Sequence, residues 1–253
     1  GINIPTGKDS LSMKQKYEEG DVLAPGTVII SSAGQCEDIK KIVTPVCIPN
    51  KGMLYYINLS SQKHVLGGSS LGQVLNKIGS EAPGIENIEV FKNTFNMLQE
   101  LILNKKIISG HDVSSGGLIT CLLEMCFPTE KVGMEIDMTL LSENDTIALL
   151  FSENSGLVLQ SEIDLTTHFG EYEIECFQIG KVTQTGKLTF QNNNDQLNLD
   201  VAEYRDLWFS TSAALDAKQN KCAEERFANY KTIPLKFHFP SSFNGKLSPS
   251  NNP

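Results

Sequence analysis

The sequence predicts an α/β fold of the α+β kind, a mixed sheet with helices packed on it. Short runs of β-branched and aromatic residues alternate with helix-like stretches along most of the 253 residues. One of these stretches carries a clear apolar stripe, and Gly/Ser-rich turns separate strands from helices at several points.

Taken in order, strands are expected at 27–32 and 53–59, the second reading Met-Leu-Tyr-Tyr-Ile-Asn-Leu. A helix at 72–78 follows the turn Gly67-Gly68-Ser69-Ser70. The next helix, 88–104, is the clearest, because Ile88, Phe91, Phe95, Leu98, Leu101 and Ile102 recur at spacings of three and four and should face a core. A strand at 106–109 then leads through a Gly/Ser turn into a helix at 117–127. Strands at 133–137 and 156–161 flank a helix at 143–150. Strands at 173–180, 187–191 and 196–199 are separated by Thr185-Gly186 and Asn192-Asn193-Asn194, both of which read as hairpin turns. Helices at 201–218 and 221–228 close the pattern, and the single tryptophan, Trp208, reads as core packing with Val201, Leu207 and Leu215.

The ends have a different character. Residues 1–24 alternate polar and apolar only weakly and read as the tail of something upstream. From Pro240 to Pro253 the composition is that of a mobile linker. The organisation expected is therefore a tail at 1–24, an α/β domain at 25–200, a helical segment at 201–239 and a linker at 240–253, excised from a longer polypeptide.

Composition narrows the function classes. A formal net charge of −9 supplies no broad cationic field, so nucleic acid and anionic membranes are not expected partners. No apolar run reaches about 18 residues and no basic-then-apolar leader is visible, so cytoplasm is the expected location. The cysteines form no C-x-x-C pair and the histidines no metal-ligand spacing, so buried free thiols are expected rather than disulfides or a zinc site.

Chemistry concentrates in the segment His111-Asp112-Val113-Ser114-Ser115-Gly116-Gly117. Its glycines allow close backbone approach, and the following helix points amide donors at an anion. Asp112 could hold magnesium, a hard cation suited to carboxylate and phosphate oxygens, while Ser114, Gly116 and Gly117 could contact a phosphate. The plainer reading is that Ser115 caps the helix and Asp112 satisfies turn amides. Leu66-Gly67-Gly68-Ser69-Ser70-Leu71 permits the same two readings, with Ser69 or Ser70 as the cap. Gly7-Lys8-Asp9-Ser10 lacks the upstream glycine of a P-loop and is rejected as one. Glu153 could face a site or serve a turn.

These same segments resemble a known family. Gly7-Lys8-Asp9-Ser10-Leu11-Ser12-Met13-Lys14 is similar to the GKDSMSMK segment of the large formylglycinamidine synthases, and Leu66 to Leu71 to their LGGSAL. His111 to Gly117 resembles HDRSDGG, and Leu150 to Gln160 resembles LFNEELGAVIQ. The motifs are collinear over about residues 5–230, and the stretch 201–228 resembles the helical run that precedes the glutaminase domain.

The resemblance implies the carboxy-terminal domain fold of the aminoimidazole ribonucleotide synthetase-like superfamily. It implies a part of an ATP-dependent ligase that converts formylglycinamide ribonucleotide and glutamine to formylglycinamidine ribonucleotide in purine biosynthesis. In that enzyme ATP would activate the amide oxygen and ammonia would displace it. ATP or ADP with Mg2+ is the implied cofactor, Asp112 the implied magnesium ligand and Ser114 the implied nucleotide contact. Implied partners are the remaining synthetase and glutaminase domains; the isolated piece is expected to be inactive and prone to artificial dimerisation. Val113 and Ser115 stand where the family has Arg and a second Asp, which puts a further supporting carboxylate in doubt. A non-catalytic module holding an auxiliary nucleotide is the alternative; another synthetase-superfamily member, of the selenophosphate or hydrogenase-maturation kind, is a further one.

Overall fold

The computed structural model describes residues 13–23, 30–36, 38–172, 174–229 and 238–246. Contacts divide the chain into two units, one of residues 1–37 with 246–253 and one of Asp38–Gly245. In the first unit, β1 (Lys14–Tyr17) and β2 (Gly20–Leu23) form an exposed antiparallel hairpin around Glu18-Glu19, with Lys14 and Asp21 paired at 2.9 Å. No strand is expected there from the weak alternation. The Gly7 to Ser12 part of the GKDS-like segment lies outside the described residues, as does 27–29 of the expected strand 27–32; its remainder, 30–32, has no regular structure.

The second unit is built on a seven-stranded sheet of order β4-β6-β3-β7-β5-β8-β9. Its strands are β3 (Met53–Asn58), β4 (Ile107–Val113), β5 (Gly133–Asp137), β6 (Gly156–Ser161), β7 (Cys176–Thr183), β8 (Lys187–Asn192) and β9 (Asp195–Asp200). Every pairing is antiparallel except β5 with β8. The mixed sheet expected from the sequence is thus present, and so is the β8–β9 hairpin over Asn193.

The hairpin expected at Thr185-Gly186 is not. β5 lies between β7 and β8 and pairs with both, so the chain crosses over β5 at that turn. Gly186 donates its amide to Lys131 O at 2.9 Å, which fastens the crossing to the segment ahead of β5. β5 satisfies its backbone on both edges by this insertion, a long-range gain that a turn dipeptide does not announce.

Each face of the sheet has its own core. Leu54, Tyr56 and Val158 point to one side, where α3 (Gly117–Cys126) and α4 (Thr146–Phe151) cover them. Tyr55, Ile57 and Leu159 point to the other, under α2 (Ile88–Leu103) and α5 (Leu165–Gly170). Burial on both faces is why β3 and β6 read as continuous apolar runs rather than as alternation. α3 is apolar over most of its surface because it is largely enclosed: eight of its ten residues are buried.

Several helix expectations need correction. α2 buries Thr94, Met97, Leu98 and Leu101, whereas Ile88 is 71% exposed and Phe95 53% exposed. Leu98 and Leu101 are buried and Phe91 and Ile102 pack against the same core, as expected, and Thr94 joins them because its hydroxyl bonds Val90 O at 2.8 Å and needs no outside partner. α1 (Ser70–Val74) starts two residues before 72 because Ser69 caps it, and it ends before Asn76, whose φ is 53°. α4 starts at Thr146, not at 143, because the Asp145 carboxylate accepts from Ala148 N at 2.9 Å. α5 was not expected; six residues are too short for periodicity, and its one signal is Asp164 accepting from Thr166 and Thr167.

α6 (Val201–Gln219) and α7 (Ala223–Asn229) follow the sheet. Trp208 is not in the core: it is 53% exposed and its ring lies against Phe127 at 5.9 Å. The helix is polar overall, so only Val201 is buried and the tryptophan sits at the rim of its seat. Linker-like residues near the end also dock, with Ile39 N donating to Gly245 O at 2.9 Å and the Lys40 amine over the rings of Phe239 and Phe243. Cys47, Cys121 and Cys126 are buried free thiols, Cys176 is half-buried, and Cys36 and Cys222 are exposed. Burial pushes the Cys47 thiol up to about 11. No helix among the described residues is long and apolar enough to cross a membrane.

Candidate functional site

The turn that the sequence singles out begins later than expected. β4 does not stop at Ser109 but runs on to Val113, pairing Gly110, His111, Asp112 and Val113 with Leu159, Val158, Leu157 and Gly156 of β6. His111 and Asp112 are therefore strand residues. Along the last of these positions the pleat sends Val113 into the core and Asp112 outward, where its side chain is 71% exposed. The valine that replaces the arginine of the resembled motif is thus a core residue. The outer edge of β4 is covered in part by the segment ahead of β3, since Gly110 N donates to Thr44 O at 3.1 Å.

Ser114 and Ser115 are exposed, and neither caps α3. The cap position is Gly116, at φ 87°, followed by Gly117 at φ 76°. Both conformations are left-handed, which glycine adopts without strain. Space demands glycine as well: a Cβ on Gly117 would lie 2.6 Å from Leu150 O and 2.7 Å from Phe151 Cα. The start of α3 therefore sits directly on the end of α4.

Two donors of this turn, the amides of Gly116 and Gly117, are answered within the chain. Gly117 N donates to Ser114 O at 3.0 Å, and Gly116 N donates to Glu153 Oε1 at 2.9 Å. The same Glu153 oxygen accepts from Ser70 N at 2.8 Å. One carboxylate therefore ties the start of α3 to the start of α1 and brings both Gly/Ser-rich turns together. Ser69 completes the second turn by accepting from Gly72 N at 3.2 Å and donating to Leu66 O at 2.7 Å. Next to Glu153, the buried Asn154 holds the approach to that turn through Val65 N, Ser60 Oγ and Lys63 O at 3.0–3.2 Å.

Burial raises the Glu153 carboxyl, but the amides of Gly116 and Ser70 and the Ser70 hydroxyl outweigh it and hold the group below its ordinary 4.5. A depressed carboxyl stabilises the fold above the unfolded-state value and loses that contribution as pH falls through the folded value. Glu153→Ala is accordingly expected to cost about 2 kcal/mol near neutral pH, the scale of bonds to a charged acceptor. Urea midpoints should differ most near neutrality, and the gap between wild type and variant should close as pH drops below 4.5.

Asp112 is arranged differently. It faces the His111 ring, Nδ1 to Oδ1 at 3.5 Å, and no turn amide bonds it. An outward carboxylate of this kind suits a first ligand of a hard cation, which takes few protein ligands and completes its shell with water and phosphate. Among the described residues, no group of three or more His, Cys, Asp and Glu is placed to hold a metal ion. The chemistry of Asp112 fits magnesium as one ligand only, and further ligands would have to come from outside these residues. Sequence reasoning did not single out Glu124, which lies on α3 with Oε2 3.4 Å from His111 Nε2; its position about two helical turns beyond Gly117 becomes meaningful only once α3 packs beside β4.

Residues 57–192 match the family model for AIR synthase related protein, C-terminal domain. The chain belongs to that family. Among curated relatives, human "phosphoribosylformylglycinamidine synthase" is 36% identical over 229 residues, 87% of this chain and 17% of the relative. The Arabidopsis thaliana "probable phosphoribosylformylglycinamidine synthase, chloroplastic/mitochondrial" is 35% identical over 236 residues, 88% of this chain and 16% of the relative. This chain thus spans about a sixth of their length. Among solved structures, T. maritima PurL complexed with FGAR aligns with a TM-score of 0.50 at 10% identity, covering 66% of this chain and 30% of that one. At that identity the likeness concerns fold, and it agrees with the family's C-terminal domain architecture.

Proposed function

We propose that this chain is part of an ATP-dependent ligase that makes formylglycinamidine ribonucleotide from formylglycinamide ribonucleotide, with glutamine as the nitrogen donor. What carries the reading is the outward, unbonded-to-backbone carboxylate of Asp112 beside an exposed Ser114, in a chain 36% identical to the human synthase. In this reading Asp112 supplies one magnesium ligand and Ser114 a nucleotide contact. Gly116 and Gly117 take part by shaping the turn, since their amides are engaged by Glu153 and Ser114. Magnesium, when bound, neutralises phosphate charge for nucleotide binding or transfer. The partners are the other synthetase and glutaminase domains, in the cytoplasm, and the chain alone is inactive.

The test is isothermal titration of ADP or ATP with magnesium into this chain and into one extended upstream by a whole preceding synthetase-like domain. Binding by the extended chain, weakened at least about tenfold by Asp112→Ala, is the expected result. Absence of binding by either would leave Asp112 without a ligand role. One observation favours a second reading, in which the domain is a structural module: Glu153 already occupies the anion-facing end of α3. In that case Asp112→Ala would leave nucleotide affinity of the extended chain unchanged.

A further inference from the structure

Three elements meet beside Asp112 in a line of polar contacts that the turn itself does not require. The His111 ring on β4 lies between two carboxylates. Its Nδ1 is 2.7 Å from the Asp112 carbonyl oxygen and 3.5 Å from Asp112 Oδ1, and its Nε2 is 3.4 Å from Glu124 Oε2 on α3. The other oxygen of Glu124 accepts from the Trp208 indole of α6 at 3.2 Å. Trp208 is in turn wedged against Phe127 and Phe209, with ring centroids 5.9 and 5.2 Å away.

We propose that Glu124 is a positioning residue that, held by the Trp208 indole, fixes the His111 ring and through it the direction of the Asp112 carboxylate. An exposed Asp otherwise samples several staggered rotamers. His111 Nδ1–H donates to the Asp112 carbonyl oxygen, and when the ring carries a proton on each nitrogen its charge lies 3.5 Å from Asp112 Oδ1 and 3.4 Å from Glu124 Oε2, which favours one Asp112 rotamer. A ligand group set in advance binds its cation more tightly than one that must be ordered on binding. The seat of α6 on α3 and the geometry of Asp112 are thereby coupled. The consequence for metal affinity rests on the magnesium role proposed for Asp112; the relay itself does not.

Trp208 is the only tryptophan, so its indole N–H gives one resonance in a 15N-labelled chain. Asp112→Asn should move that resonance by more than a linewidth in an otherwise wild-type chain and leave it in place in a Glu124→Gln background, a double-mutant cycle read at a distance. With Mn2+ and ADP added to the chain extended upstream by the preceding synthetase-like domain, followed by water-proton relaxation, Glu124→Gln and Trp208→Phe should each weaken Asp112-dependent binding by about three- to tenfold. An indole resonance indifferent to Asp112→Asn overturns the relay. If the resonance responds through Glu124 but Mn2+ does not bind, the relay stands and the magnesium role of Asp112 falls. If Mn2+ binds through Asp112 with unchanged affinity in both variants, the relay falls and that role survives.

Discussion

Gly117→Ala should destabilise the compact unit by about 3 kcal/mol, combining the cost of a left-handed backbone with that of overpacking. The added methyl would meet Leu150 O and the Phe151 backbone at 2.6–2.8 Å, and these atoms end α4 and cannot swing away as a side-chain tip would. Gly68→Ala is the matched control. Its φ of 73° is nearly the same as the 76° of Gly117, yet nothing lies within 4 Å of its Cβ position. Only the conformational cost applies there, about 1 kcal/mol. Denaturant midpoints of the two variants separate the contributions; equal losses would mean that the close seat of α3 on α4 is not what makes Gly117 necessary. The result bears on function because this seat places Ser114 and the end of β4.

Gln160→Leu is expected to be about as damaging. Gln160 is fully buried in β6, and its Oε1 accepts from Ile48 N at 3.0 Å and from Ser109 Oγ at 3.2 Å. Its Nε2 donates to Ile48 O and Lys51 O, both at 2.6 Å. Leucine keeps the approximate volume but leaves those groups of the 48–51 loop and of β4 without their partner. At about 1 kcal/mol for each neutral bond, the loss should reach 3–4 kcal/mol, or roughly 10 °C in melting temperature. Hydrogen exchange should show the Ile48 amide opening before the strands do. A midpoint shift under about 1 kcal/mol would show that water replaces the amide at little cost.

Both predictions concern features that a linear reading locates without explaining. The glycines at 116 and 117 were visible as a turn ahead of a helix, and phosphate contact was one of two readings for them. The tertiary structure supplies a different use for the Gly116 amide, because a carboxylate 37 residues along the chain arrives at it. Glu153 had been visible only as a residue that could serve a site or a turn. Nothing in its neighbours along the chain reveals that Ser70 and Gly116 converge on one of its oxygens. Gln160 is similar: it sits in an apolar strand as an apparent exception, and its four partners come from segments 109 and 48–51.

Helix α2 shows the same division at the level of packing. Its limits were readable within one residue at its end, because the stripe has helical period, and the structure shows Asn87 capping its start. Which arc of the stripe is buried was not, since that depends on where β3, β6 and α5 stand. Ile88 and Phe95 are apolar and correctly spaced but lie beyond the edge of the contact.

By itself the sequence determined the order and type of most elements, the mixed character of the sheet and the family to which the motifs point. The elements follow from periodicity, capping and turn chemistry, which act over a few residues, and the family from the resemblance of its motifs. Only the tertiary structure decided that β5 slips between β7 and β8, that β4 continues through Asp112, and that Glu153 rather than a ligand answers the amide of Gly116. These choices are made by backbone pairing and burial between segments distant along the chain. Their free energy resides in partners, so no single stretch of sequence carries it.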